Sequence, residues 1–333
     1  MSLHNYYTRR IYDMFRIGID LGGTKISAAV IDDDFNILAK SSCKTNAQRE
    51  SDLLTKDIAD LCRSVADKIG LTLSDVESIG IGCPGAIDNI KGTVEYSCNL
   101  PYVSYPLRQK LSQMSGVDKI YIDNDANAAA LGEAVAGAAK GTASSVMITL
   151  GTGVGGGIII NNKIVSGING AGGELGHMVI KFDGRPCPCT RRGCFEAYSS
   201  ATALKNITKE RLRKLKSENI PTLMLEMCGG DPEKASPRTA FEASKKNDTE
   251  AKKIIEEYTQ NLACGITNII NIFQPETVII GGGLSGEGDY LLKPLLPIIE
   301  REQYTRTYKN KTTIKIATLG NDAGLIGAAA LGI

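Results

Sequence analysis

One pattern occurs twice in this 333-residue chain: an apolar strand, a tight run of glycine, and a second apolar strand. The first copy, residues 15–32, reads FRIGID, LGGTK, ISAAVID, and the second, residues 146–165, reads VMITL, GTGVGGG, IIINNKIV. β-branched runs around a glycine turn specify a hairpin, because glycine adopts backbone angles that other residues resist. A hairpin cannot bury its faces alone, so each copy needs further strands and covering helices. The first copy is followed by strand pattern over 35–44, helix over 51–69, strands at 78–82 and 119–122, and an alanine-rich helix over 125–139. After the second come a long helix over 249–273, strands over 277–280 and 313–319, and a closing helix from Asp322. The expected fold class is α/β, two mixed-sheet domains facing one another, with a ligand held by both hairpins in an interdomain cleft. An insertion between Gly167 and Thr249, with a helical stretch over 201–216, breaks the symmetry. Additions of this kind adapt a shared scaffold to one substrate.

Charge narrows the partners. Lys and Arg total 38 against 37 Asp and Glu, so the chain has no field for gripping a polyanion, and nucleic acid is not expected. The uncharged stretch 144–162 holds five glycines and reads as two strands around a turn rather than a membrane span. The first sixteen residues are polar, with Arg9, Arg10 and Arg16, and do not form a secretory signal. Nine cysteines without such a signal point to reduced thiols in a cytoplasm. A tight cysteine cluster would then hold metal rather than form disulfides.

The glycine turns suit phosphate. In Asp20-Leu21-Gly22-Gly23-Thr24-Lys25, successive N–H groups can cradle phosphate oxygens, Thr24 can add a hydroxyl, and Asp20 can hold Mg²⁺ or its waters. Gly18 and Gly23 have Walker A spacing, but the Thr-Lys order is reversed and a strand follows where that motif needs a helix. Gly151, Gly153 and Gly156 match the dinucleotide glycine pattern, again with a strand following, so a dinucleotide fold is disfavoured. Two such turns at equivalent places, around Gly22–Gly23 and around Gly151, Thr152 and Gly153, suit a nucleoside triphosphate held from both sides. Gly281-Gly282-Gly283 ends an apolar strand before a helix, the placement of a loop that touches a nucleoside.

Asp123-Asn124-Asp125 stands where a strand ends and a helix begins. One of the three caps the helix; another is placed to act as a base toward a hydroxyl. Downstream, His177 lies ten residues before Cys187, and Cys187, Cys189 and Cys194 fall within eight residues. That is a closed Cys₃His set, the composition of a structural zinc site. Closing such a loop brings Glu174 and Glu196 beside the metal, where two carboxylates can accept hydrogen bonds from adjacent sugar hydroxyls. Core packing is expected for Cys43, Cys62, Cys83, Cys98, Cys228 and Cys264.

The DxGGTK turn, NDANAAALGE at 124–133, ELGH from Glu174, CxCxxxxCxE from Cys187 and the triple glycine from Gly281 occur together and in order. In this combination the chain resembles the ROK family of sugar kinases and sugar-responsive repressors, and its bacterial glucokinase-like members in particular. The resemblance implies an actin-like, ribonuclease-H-like pair of domains. The first would span residues 1–135, completed by a C-terminal helix over 320–333; the second, residues 136–319, would carry the zinc loop and nucleotide contacts. It implies Asp125 as the catalytic base, with Asn124, Glu174, His177, Glu196, Gly85 and Asn99 lining the sugar pocket. ATP with Mg²⁺ would take Asp20, Gly22, Gly23, Thr24, Lys25, Gly151, Thr152, Gly153, Gly282 and Gly283, and zinc would take His177, Cys187, Cys189 and Cys194. Thr190 stands where the family usually has glycine, and a tryptophan common after the Asn-Leu-Pro segment is missing. The activity implied is ATP-dependent phosphorylation of a hexose in the cytoplasm by a homodimer or homotetramer. Glucose is the first expectation, and N-acetylglucosamine, N-acetylmannosamine or fructose the alternatives. A repressor of this family carries an N-terminal helix-turn-helix, for which a strand beginning near Phe15 leaves no room, so the kinase is the expected member.

Overall fold

The computed structural model describes residues 14–333, and the polar N-terminal segment with His4, Arg9 and Arg10 lies outside the described residues. The chain forms two compact units. The first runs to Gly141 and includes Ile164–Gly172 and Asn321–Ile333; the second comprises Thr142–Lys163 and Gly173–Gly320.

In the first unit, β1 (Phe15–Leu21), β2 (Lys25–Ile31) and β3 (Ile37–Lys44) form an antiparallel meander. Next come β4 (Val76–Cys83) and a small sheet of β5 (Ala86–Asp88), β6 (Thr93–Tyr96) and β7 (Val103–Tyr105). With β8 (Ile120–Asn124) the main sheet has the order β3-β2-β1-β4-β8, and β1, β4 and β8 are parallel. Alternation along β1 explains both of its faces. Ile17, Ile19 and Leu21 join one core with Leu54, Ile58, Leu61, Cys62 and Val65 of the helix Ser51–Asp67. Gly18, paired with Gly80 of β4, faces the C-terminal helix Ala323–Ala329. A Cβ on Gly18 would lie 1.8 Å from the Leu325 carbonyl oxygen, and one on Gly80 would lie 1.7 Å from that of Ala328. Only glycine lets the last helix press its backbone onto this sheet.

The second unit repeats the plan with β9 (Ser145–Leu150), β10 (Val154–Ile160), β11 (Lys163–Ile164), β12 (Thr277–Gly281) and β13 (Thr313–Ile316). Its order is β11-β10-β9-β12-β13; β9 and β10 are antiparallel, while β9, β12 and β13 are parallel. The helix Thr249–Phe273 buries Ile255, Tyr258, Leu262, Ile266 and Ile269, spaced three or four apart along one face. Asp248 caps it by accepting from the Ala251 N–H at 2.7 Å, and it stops at Gln274, whose φ of 45° is left-handed, just before Pro275.

Several elements depart from the sequence pattern for local reasons. The turn of the second hairpin uses only residues 151–153, and Gly155, Gly156 and Gly157 belong to β10. Asn161 and Asn162, with φ of 52° and 62°, then turn the chain into β11. The alanine-rich helix ends at Val135 rather than at residue 139, because the Glu133 carboxylate takes the Ala138 N–H at 2.7 Å and turns the chain. The strand expected to reach residue 319 ends at Ile316. The segment 164–172, placed by sequence in the second domain, packs with the first unit, where a Cβ on Gly170 would lie 1.9 Å from the Ile87 oxygen. Cys62, Cys83 and Cys228 are buried and Cys43 and Cys264 half-buried, but Cys98 is exposed, contrary to the expected core role. It sits in the loop between β6 and β7, whose buried positions are taken by Ser97, Leu100 and Tyr102. No helix among the described residues is long and apolar enough to cross a membrane.

Candidate active site and metal centre

The polar groups of the first unit gather where its parallel strands end. Register pairs Asp20 of β1 with Gly82 of β4, and Cys83 of β4 with Asn124 of β8. Asp123, Asn124 and Asp125 have separate tasks. Asp123 is buried; it accepts from the side-chain amides of Asn127 at 2.7 Å and Asn89 at 3.1 Å, and from the Ser166 hydroxyl at 3.5 Å. Asn124 caps the helix Asp125–Val135, accepting from the Ala126 N–H at 2.9 Å, and its amide donates to the Gly85 carbonyl at 3.4 Å. Unlike Asp123, Asp125 takes no hydrogen bond from another side chain: its Oδ1 accepts the neighbouring Ala126 N–H, at 2.9 Å. Its side chain is exposed, yet protein crowds it closely enough that desolvation raises its pKa against the lowering pull of the Ala126 N–H and its own. Desolvation raises the pKa of Asp20 as well, and the like charge of Asp125 adds to it, opposed by Lys25 and Lys40.

The first glycine turn closes with Gly22 N–H donating to the Lys25 carbonyl at 3.0 Å. Thr45, just beyond β3, pins it: its hydroxyl donates to the Gly22 carbonyl at 2.5 Å and its N–H to the Thr24 carbonyl at 3.1 Å. Asn99 rests on the same turn, 3.0 Å from where a Cβ of Gly23 would stand. Gly85 has a φ of 118°, and a Cβ there would lie 2.2 Å from the Tyr96 carbonyl oxygen. The structure thus brings Gly85, Asn124 and Asp125 together and sets Asn99 against the phosphate-type turn. Thr45, Asn89 and Ser166 carry no motif and were missed. Their partners are distant in sequence, so no local signal could have found them.

In the second unit, His177, Cys187, Cys189 and Cys194 present donor atoms that all lie within 4.8 Å of one another. The Cys187 sulfur is 3.6 Å from His177 Nδ1, and the Cys189 and Cys194 sulfurs are 3.6 Å apart. Tetrahedral zinc with Zn–S bonds of about 2.3 Å separates its sulfurs by about 3.7 Å, so the donor set and spacing fit that ion. The knuckle is built by backbone bonds, Cys187 N–H to the Arg191 carbonyl at 2.9 Å and Thr190 N–H to the Cys187 carbonyl at 3.0 Å. Thr190 has a left-handed φ of 72°, the physical reason glycine suits that position. Without a cation, burial pushes the Cys187 thiol up to about 12; a bound metal would reverse this by favouring the thiolate. Since Nδ1 faces the thiols, Nε2 of His177 points outward, 3.9 Å from the Glu174 carboxylate.

Glu196 reaches the cluster from another direction, its Oε1 3.8 Å from the Cys187 sulfur. Its Oε2 accepts the N–H of Val154, in the second glycine hairpin, at 3.0 Å. Gly282, with a φ of 82°, lies against the Leu150 backbone at the end of β9, so the third glycine loop adjoins the second. A strand follows each of the first two turns, as the rejection of a Walker A or dinucleotide motif requires.

Paired mixed sheets with this topology, a Cys₃His cluster and an available carboxylate at a strand end define a class: actin-like sugar kinases and their non-catalytic relatives. The ROK family model matches residues 16–333, and the chain belongs to the ROK family. It is 37% identical over 319 residues to a glucokinase of Halalkalibacterium halodurans, covering 95% of this chain and 94% of that one. A crystal structure of a ROK family glucokinase from Streptomyces griseus, in complex with glucose and AMPPNP, aligns with a TM-score of 0.75 at 33% identity, covering 95% and 98% of the two chains. A xylose repressor of Caldicellulosiruptor bescii is 31% identical over 95% of this chain, which spans 77% of the repressor.

Proposed function

We propose that this protein is a glucokinase, transferring the γ-phosphoryl group of ATP to glucose. Its similarity along nearly the whole chain to glucokinases, one of them captured with glucose and a nonhydrolysable ATP analogue, supports the reading. The observation that carries it in this chain is Asp125, whose carboxylate, unlike that of Asp123, is not taken up by another side chain.

The assignments of individual residues follow. Asp125 accepts the proton of the attacking sugar hydroxyl, most simply the primary one at C6, as that oxygen bonds to the γ-phosphorus and ADP departs. Its raised pKa makes it a better proton acceptor than an ordinary aspartate. Asn124, Gly85 and Asn99 of the first unit, and Glu174, Glu196 and the Nε2 of His177 of the second, are assigned to sugar hydroxyls. Gly22, Gly23, Thr24 and Lys25, with Gly151, Thr152, Gly153, Gly282 and Gly283, are assigned to ATP. Asp20 would hold Mg²⁺ or its waters, and that ion would offset phosphate charge. His177, Cys187, Cys189 and Cys194 would hold zinc in a closed, structural set. A cytoplasmic location is proposed from the supply of ATP and the nine free cysteines. Assembly as a homodimer or homotetramer is also proposed, and light scattering tests it.

A coupled ADP-release assay across glucose, N-acetylglucosamine, N-acetylmannosamine, fructose and xylose tests the function. Turnover with glucose at the highest kcat/KM is expected, and no ADP release with any of these sugars would overturn the kinase reading.

A further inference from the structure

We infer that Glu196 positions the second glycine turn as well as meeting the sugar, so that one carboxylate couples sugar and nucleotide binding. The inference rests on the reading that Glu196 and residues 151–153 belong to the sugar and ATP sites. Four contacts carry it. Glu196 Oε2 accepts the Val154 N–H at 3.0 Å. A Cβ on Gly153 would lie 2.2 Å from that same oxygen, so glycine is what admits the carboxylate to the turn. On the other side of the Val154 residue, a Cβ on Gly176 would lie 2.1 Å from the Val154 oxygen, which seats the Glu174–His177 segment against the start of β10. The Ala201 N–H, five residues beyond Glu196, donates to the Gly151 carbonyl at 2.8 Å. The start of β10 is therefore held between the Glu174–His177 segment and the Glu196–Ala201 segment, which carry the sugar ligands proposed for this unit.

The physical consequence is positive coupling. The turn closes on itself through Gly151 N–H and the Gly153 carbonyl at 3.0 Å, but its exit direction is set by the anionic acceptor at Val154. A hydrogen bond to a charged acceptor is stronger than a neutral one, and its loss leaves the Val154 N–H without that acceptor where the turn enters β10. Sugar that orders Glu196 then also orders the turn before nucleotide arrives, and part of the ordering cost of the second ligand is already met.

The test is AMPPNP binding by calorimetry, without sugar, to wild type, Glu196→Ala, Glu196→Gln and Gly153→Ala, with glucose binding measured in parallel. Glu196→Ala should weaken AMPPNP about tenfold and glucose as well. Glu196→Gln keeps a carbonyl oxygen for the Val154 N–H while losing the charge. It should hold AMPPNP affinity within about threefold of wild type and still lose glucose affinity. A general structural lesion would not separate the two ligands in this way. AMPPNP affinity unchanged in Glu196→Ala but lowered in Gly153→Ala would overturn the coupling and leave the turn as a nucleotide contact. AMPPNP unchanged in both would instead overturn the assignment of the turn to ATP. Glucose affinity unchanged in Glu196→Ala would overturn the sugar role of Glu196 and the coupling with it.

Discussion

The two glycine turns occupy equivalent places in repeated sheets, but they are held differently. The first is tied by neutral groups: the hydroxyl and N–H of Thr45 on the carbonyls of Gly22 and Thr24. The second is tied by a carboxylate that also approaches the Cys₃His cluster through Cys187. A repeated scaffold can therefore preserve a phosphate-type turn while changing what controls it. In the first unit the turn depends on its own sheet. In the second it depends on the insertion, so specialisation of the insertion reaches a turn that belongs to the common plan.

The largest expected effect lies in the first unit. Asp125→Asn should lower kcat by about a thousandfold or more, while glucose binding and the fold persist. Turnover above about a tenth of wild type would remove Asp125 as base. The same group makes two predictions with pH. Activity needs the carboxylate ionised, so kcat/KM should fall as pH drops through a value above that of an ordinary aspartate. For stability the sign reverses: a carboxyl whose folded pKa lies above its unfolded value binds protons more tightly when folded. Its ionisation therefore costs stability as pH rises from the unfolded pKa through the folded one, and the cost persists at neutral pH. Asp125→Asn should accordingly raise Tm at pH 7 and lose that advantage below the carboxylate range; a lower Tm at pH 7 would contradict the desolvated environment.

The next effect belongs to the second unit. Cys189→Ser should reduce bound zinc, measured by elemental analysis, and weaken glucose about tenfold to a hundredfold. Hydrogen exchange should rise at Val154 and near Glu196 but stay at wild-type rates at Gly22–Lys25. Equal loosening of both turns would erase the contrast between them. The reciprocal variant, Thr45→Val, removes one hydrogen bond from the first turn. It should raise the KM for ATP a few-fold, as expected for about 1 kcal/mol, with zinc content unchanged. The smallest effect is at Thr190, where Thr190→Gly relieves a left-handed backbone but adds freedom to the unfolded chain. A gain of about 0.5 kcal/mol is expected, read from denaturant unfolding of the zinc-loaded protein.

Much of this was legible in residue order. The strand-turn-strand pattern located both hairpins, and the helix over 249–273 has the bounds its periodicity indicates. Those signals are local, since side-chain alternation and turn chemistry act over a few residues. The Cys₃His set was legible because thiols and imidazole have few other reasons to occur at that spacing. The small sheet β5–β7 was not, because strands of three or four residues are too short to show alternation.

Sequence by itself determined the fold class, the two glycine turns, the Cys₃His set and the short list from which the proposed base is drawn. Tertiary structure decided what each member of that list does. Asp123, Asn124 and Asp125 are equivalent in local pattern, and they part only because Asn89 and Ser166 reach Asp123 from loops folded against it. His177 divides its nitrogens between cluster and solvent only once Cys187 has closed on Nδ1. Glu196 joins the glycine turn through a backbone N–H, a group every residue but proline carries and no sequence can mark. Roles of this kind depend on which partners are brought within 3 Å across dozens of residues, and that selection is made by packing alone.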